Sequence, residues 1–202
     1  MPFIKVITPD EATGKLASLY QLVGGPGGQV DQVLQAHSLR PHTLEGHMAL
    51  YKSVLHHRGN KLEVWFLEAI GVLVSRLNGC QYCDRHHTAG LEGLMKKEGL
   101  DFPAYDQSLR QNPPGAPFSQ KQQAALEYVI KLTRSPGAIQ EVDIDHLRKQ
   151  GFSDGEILEI NQVTAYFAYA NRSVSGLGVS IEGEVLGLSP QSGDGREAWQ
   201  HD

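Results

Sequence analysis

Cysteine is scarce in this chain: only Cys80 and Cys83 occur among 202 residues. One pair three residues apart cannot staple a disulfide scaffold, and in a reducing compartment such a pair points to catalysis or metal binding. No stretch approaches the roughly 20 apolar residues of a membrane span. The opening Met-Pro-Phe-Ile-Lys-Val-Ile-Thr lacks the charged lead and apolar run of a signal peptide, so a cytoplasmic location is expected. There is no basic surplus either. The formal net charge is −5 and no Lys/Arg cluster stands out, which argues against nucleic-acid binding. Strand-like alternation is almost missing, and no repeat recurs at a solenoid period.

What is present reads as helix. Apolar residues at 40% suit one soluble domain large enough to bury its own core. Thr8-Pro9-Asp10-Glu11 is a capping box with proline at the first helical position, opening a helix that Gly24–Gly28 ends. The glycine cluster lacks the lysine and Ser/Thr of a phosphate loop and is read as a turn. A short helix is expected over 30–39 and another over 41–57. Asn60 is expected to cap an amphipathic helix over 62–77, and the cysteine motif to begin a helix over 80–97. Residues 98–118, with Gly99, Pro103, Pro113, Pro114, Gly115 and Pro117, read as a loop or linker. Capping boxes at Ser119–Gln122 and Ser153–Glu156 open two further helices, with a short one over 142–150 between them. The expected architecture is all-α: one compact multi-helix domain over residues 1–180, then a flexible tail over 181–202 rich in Gly, Ser and Gln.

The chemistry concentrates in Asn78-Gly-Cys80-Gln-Tyr-Cys83-Asp-Arg-His86-His87. At about 100° per residue, Cys83 lies about 60° and His87 about 20° from Cys80 around a helix. A base and two thiols thus share one face. Asn78-Gly79 breaks the preceding helix and puts Cys80 in the first turn of the next, where unpaired N–H groups and the dipole favour a thiolate. His86 points away from that face and is read as structural or solvated. Glu68 is the second informative position. It is the only ionisable residue between Val64 and Ser75, in a helix apolar around most of its circumference. A buried carboxylate needs a partner, and His87 is available. The alternative is a surface glutamate at the rim of the apolar stripe.

A glutamate twelve residues before Cys-x-x-Cys, with a histidine four after it, resembles the signature of the alkylhydroperoxidase D family of the carboxymuconolactone decarboxylase-like superfamily. Val74–Cys83, with tyrosine before the second cysteine, resembles its peroxidase-related branch, as do Asn171-Arg172 and Gly176–Val179. The resemblance implies an all-α, homo-oligomeric enzyme (dimer, trimer or hexamer) reducing organic hydroperoxides or hydrogen peroxide through Cys80 and Cys83. Glu68 and His87 would form the proton relay and an external dithiol or protein reductant would restore the pair, with no cofactor or metal. Two departures matter. The best-known members carry histidine where Tyr82 stands, so that histidine's contribution does not carry over. The superfamily's decarboxylases lack the cysteine pair, so lactone decarboxylation fits poorly.

Within the pair, His87 one turn after Cys83 makes Cys83 the attacking thiol and Cys80 the resolving one; the helix-terminus argument favours Cys80. Two other readings stay open. Cys80, Cys83, His87 and one more ligand could hold zinc, since i, i+3, i+7 spacing puts three ligands on one face. A sensor could use the same low-pKa thiol without turnover. The upstream histidines at 37, 42, 47, 56 and 57 step around a helix rather than along one face and are read as surface or satisfied core groups.

Overall fold

A computed structural model describes residues 2–191 and 195–201. Among them nine α-helices form and no strand does; one isolated β-bridge joins Pro190 to His201. In chain order they are α1 (Gly14–Val23), α2 (Gln32–Gln35), α3 (Pro41–Leu55), α4 (Val64–Leu77), α5 (Gln81–Lys97), α6 (Phe102–Leu109), α7 (Gln120–Arg134), α8 (Glu141–Lys149) and α9 (Asp154–Gly176). None of the described helices is long and apolar enough to cross a membrane.

The helix α4 is the axle of the fold. Every residue from Phe66 to Ser75 is buried, because α5, α7 and α9 of the same chain pack around it. Its apolar circumference is therefore covered within one chain. Close approach to α9 depends on Gly71. A Cβ there would sit 2.2 Å from Cζ of Phe167, a ring that is fully buried.

Four local expectations need correction. The Thr8 capping box is real, but it opens only a 3-10 turn at Pro9–Glu11; α1 starts afresh at Gly14. Asn60 does not cap α4: its Nδ2 donates to the carbonyl of Val54, and Glu63 holds the N-cap position. The proline-rich stretch contains α6, with Pro103 in its first turn, where the missing N–H costs nothing. Arg76 ties α6 to the motif by donating from Nη2 to Asp106 (2.6 Å) and from Nε to Asp84 (2.9 Å). The last correction concerns the segment after residue 180. Ala198, Trp199 and His201 are buried, and the backbone of 182–191 runs over α2 and α5. Gly187 is seated so close to Ala89 and Gly90 that a Cβ would lie 3.0 Å from their atoms. The flexibility expected of 192–194 falls outside the described residues.

Gly71→Ala should lower stability by about 1–3 kcal/mol, the usual cost of overpacking a filled core. Urea unfolding checks this, and an unchanged midpoint would mean that Phe167 moves aside freely.

Candidate active site

The corner between α4 and α5 is built by backbone hydrogen bonds before any side chain acts. Gly79 adopts φ +69°, its N–H bonds the carbonyl of Arg76, and the N–H of Cys80 bonds the carbonyl of Ser75 at 2.9 Å. This is a Schellman ending, and the left-handed residue it requires is why glycine follows Asn78. Cys80 is thereby delivered as the N-cap of α5, one position earlier than the first turn. Its Sγ accepts the N–H of Cys83 at 3.5 Å.

The two sulfurs lie 3.0 Å apart, both as free thiols and both buried. Their ionisation is unequal. The Cys83 thiol, hydrogen-bonded to the Cys80 sulfur, is the main influence bringing the Cys80 thiol down to about 6. The Cys83 backbone N–H, Ser175 and His87 assist against the cost of burial. Cys83 moves the other way, raised by its bond to the Cys80 sulfur and then by burial. The pair thus holds one proton near neutral pH, with the charge on Cys80. The helix terminus contributes to this through the Cys83 N–H, after the thiol itself.

Glu68 is 1% exposed, so the rim reading is excluded. His87 Nδ1–H donates to Glu68 Oε2 at 2.7 Å, which leaves Nε2 of that ring as the basic nitrogen. The edge of His87 meets Phe167, with ring centroids 4.6 Å apart. Cys83, Glu68 and His87 all line one cavity of about 50 Å³; Cys80 does not. The structure therefore brings together all four residues singled out by sequence, with Cys83 at the cavity and Cys80 behind it.

The rest of the lining was not foreseen. Tyr51 and Tyr166 stack at 5.7 Å, His47 lies against both, and His201 closes in from the chain end. Burial raises both phenols well above their ordinary range and pushes His47 down to about 3. These are neutral polar groups at physiological pH. Among the described residues, no Lys or Arg lines the cavity, whereas Asp31 and Glu68 do. His86 is buried, not solvated. It stacks on Tyr82 at 4.5 Å and bonds Glu184 of the returning segment through Nε2 at 2.6 Å. Tyr82 accepts the N–H of Val33 at 3.2 Å and so braces α2. His37 and His47 meet at 5.0 Å because His37 precedes α3 and is not bound by its helical steps. On α9, Asn171 Nδ2 donates to Ser75 Oγ while its Oδ1 accepts from Asn78, pinning the corner. Among the described residues, no three His, Cys, Asp or Glu side chains converge as a metal site would require.

Comparison with solved structures follows the same lines. The structure of an uncharacterised peroxidase-related protein from Ralstonia eutropha JMP134, described as an alkylhydroperoxidase AhpD core, superposes with a TM-score of 0.74 at 25% identity, covering 89% of this chain and 91% of that one. An uncharacterised peroxidase-related protein from Silicibacter sp. TM1040 is 30% identical, with a TM-score of 0.66 over 76% of this chain and 78% of its own. The chain belongs to the alkylhydroperoxidase D-like family. The debrominase Bmp8, solved with 2,3,4-tribromopyrrole, shares the fold alone, at 16% identity and a TM-score of 0.68 over 90% of this chain and 92% of that one. No family model matches the sequence, and no curated protein is significantly similar.

The ultraviolet absorbance of thiolate should rise in two well-separated steps as pH increases, the first with a midpoint near 6 and assigned to Cys80 by its loss in Cys80→Ser. A single step near the ordinary thiol pKa of about 8.5 would show that the corner does not ionise its cysteine.

Proposed function

We propose that this protein is a thiol-dependent peroxidase that reduces organic hydroperoxides or hydrogen peroxide with the Cys80/Cys83 pair. The observation that carries this reading is the juxtaposition of two thiols with sulfurs 3.0 Å apart and a histidine held by a buried carboxylate, with Cys83, His87 and Glu68 lining one cavity. Each part answers a need of the reaction. A thiolate is the nucleophile, a neighbouring thiol resolves the sulfenic acid before it is over-oxidised, and a positioned acid protonates the departing oxygen.

Cys83 is the sulfur we assign to the peroxide, because it alone of the two lines the cavity. Its proton passes to Cys80 across 3.0 Å or to Nε2 of His87, and the resulting thiolate attacks the distal oxygen. The O–O bond breaks, the alcohol leaves with a proton from the relay, and Cys83 becomes a sulfenic acid. Cys80 then displaces hydroxide, which leaves as water, and the disulfide closes. An external dithiol reduces it through a mixed disulfide. The cavity's size fits a peroxide head group, and its lining without lysine or arginine fits an uncharged one. By resemblance, the working assembly is a homo-oligomer.

One equivalent of an alkyl hydroperoxide should consume two thiols in fresh protein without bound metal. Glu68→Gln should fold and lose about 10²–10⁴-fold in rate, the usual worth of a positioned proton-transfer group. Retained thiols, or an active Glu68→Gln, would overturn the reading. Repeated turnover with a dithiol donor separates a catalyst from a sensor, which needs only one oxidation.

The roles of the sulfurs can be read separately. Cys80→Ser should stop as a sulfenic acid trapped by a dimedone-type probe on Cys83, while Cys83→Ser should yield none. The reverse pattern would assign attack to Cys80, the sulfur that carries the charge.

A further inference from the structure

The proposed peroxide chemistry, on which this inference rests, has a proton balance. With one proton on the sulfur pair, oxidation consumes the Cys80 thiolate, the Cys83 thiol, ROOH and one further proton, and yields the disulfide, ROH and water. Two electrons pass from the sulfurs to the O–O bond. Reduction by an external dithiol returns the thiolate–thiol pair, leaves the donor oxidised and releases one proton. Each cycle therefore takes one proton from solvent and gives one back, although Glu68 and both sulfurs are at most 4% exposed. The cavity and His87, whose side chain is 18% exposed, offer one path to water, and the far oxygen of Glu68 offers another.

Glu68 has two oxygens and the mechanism uses one. Oε2 accepts from His87, while Oε1 faces Nε2 of His56 at 3.7 Å. His56 follows the end of α3, and its side chain is only 10% exposed. Its Nε2 is buried without a hydrogen-bond partner, an arrangement that structures seldom leave without reason. The ring stands between two spaces. Glu68 lines the inner cavity, and His56 lines a separate, outward-opening groove bounded by Lys52, Lys97 and Gln191. Gly90 and Ser189 belong to both walls.

We propose that His56 is the proton port of the site, carrying one proton per cycle between the outer groove and Oε1 of Glu68. An imidazole suits this task, because it takes a proton at one nitrogen and gives one from the other. A shift of less than about 1 Å brings Nε2 within hydrogen-bonding distance of Oε1. The groups around the ring are Tyr51 and Lys52 from α3, Glu68 from α4, His87 from α5 and His201 from the returning segment. Burial holds His56 neutral, down to about 4, against the opposing pull of Glu68. A proton taken from the groove is therefore passed on rather than kept. His56 touches neither sulfur nor peroxide; it acts through Glu68 as a positioning and relay residue.

The test is single-turnover oxidation by one equivalent of tert-butyl hydroperoxide at low buffer concentration, in wild type, His56→Gln and His56→Asn. Both amides keep a donor toward Glu68 and cannot relay a proton. Expected are a loss of about 10²-fold in the rate of disulfide formation with half-saturating peroxide unchanged. A rate falling about tenfold per unit rise in pH and recovery with added imidazole should accompany it, while wild type stays indifferent to buffer. Variants that oxidise at the wild-type rate would overturn the proposal, as would a loss that imidazole does not restore, which marks a structural role. If neither variant folds, the wild-type buffer dependence decides: a rate that rises with buffer concentration means that no resident relay exists. Failure of the underlying peroxidase reading looks different, since wild type would then lose no thiols at all.

Discussion

A carboxyl group at the centre of an apolar helix is the constraint around which the rest is arranged. Glu68 lies in α4 with buried residues before and after it in every turn. Leaving such a group ionised and unpaired would cost several kcal/mol. The fold meets this cost by bringing histidines to it from two directions, His87 from α5 and His56 from the end of α3. Each approach has its own support. Asn171 and Arg76 pin the corner from which α5 departs, and the ring of Phe167 meets the edge of His87. The glycine at 71 lets that phenylalanine reach its place. A disturbance in the α4–α9 crossing is therefore also a disturbance of the acid–base pair, although no atom of Gly71 is near sulfur chemistry.

The sulfur pair obeys a different constraint. Two thiols at 3.0 Å do not ionise together near neutral pH, so one proton is shared and the environment decides its owner. The hydrogen bond from the Cys83 thiol chiefly lowers the Cys80 thiol, and the Cys83 N–H, brought to that sulfur by the Schellman ending, adds to it. Charge and access are thus divided: the sulfur that ionises is walled in, and the sulfur that meets the cavity is protonated at rest.

Much of this was legible in the sequence because it depends on local spacing. The Asn78-Gly79 break, the three-residue step between cysteines and the four-residue step to His87 are all within one helix and its cap, where geometry follows from φ, ψ and 3.6 residues per turn. Glu68 was legible for a related reason, as one charge in an apolar turn. The helix α6 was hidden because Pro103 sits in a first turn, where proline is harmless, among prolines that do break structure. His47, His56 and His201 were hidden because their meeting is tertiary. Helical phase separates histidines on one helix, yet says nothing of His201, which reaches the cavity through a segment with little regular structure. His86 was misplaced for the same reason: helical phase set it apart from the cysteine face, yet it lines the cavity with Cys83, and its partner, Glu184, lies 98 residues away.

The returning segment also bears on how a shared fold can serve different chemistry. The same helical framework recurs in a protein solved with a brominated pyrrole, so the framework alone does not choose a substrate. In this chain the choice falls to what fills the space above the sulfurs. Leu188, Ser189 and His201 narrow the cavity, and Gly187 lies flush on Gly90 so that nothing larger fits between them. A reactant must reach Cys83 through space lined by three neutral phenols, four histidines, Asp31 and Glu68. Such a lining suits hydrogen bonding to a small polar group, as the proposed peroxide reduction requires. The hydroperoxide function, a donor and two acceptors on adjacent oxygens, meets that description without needing any part of the molecule behind it.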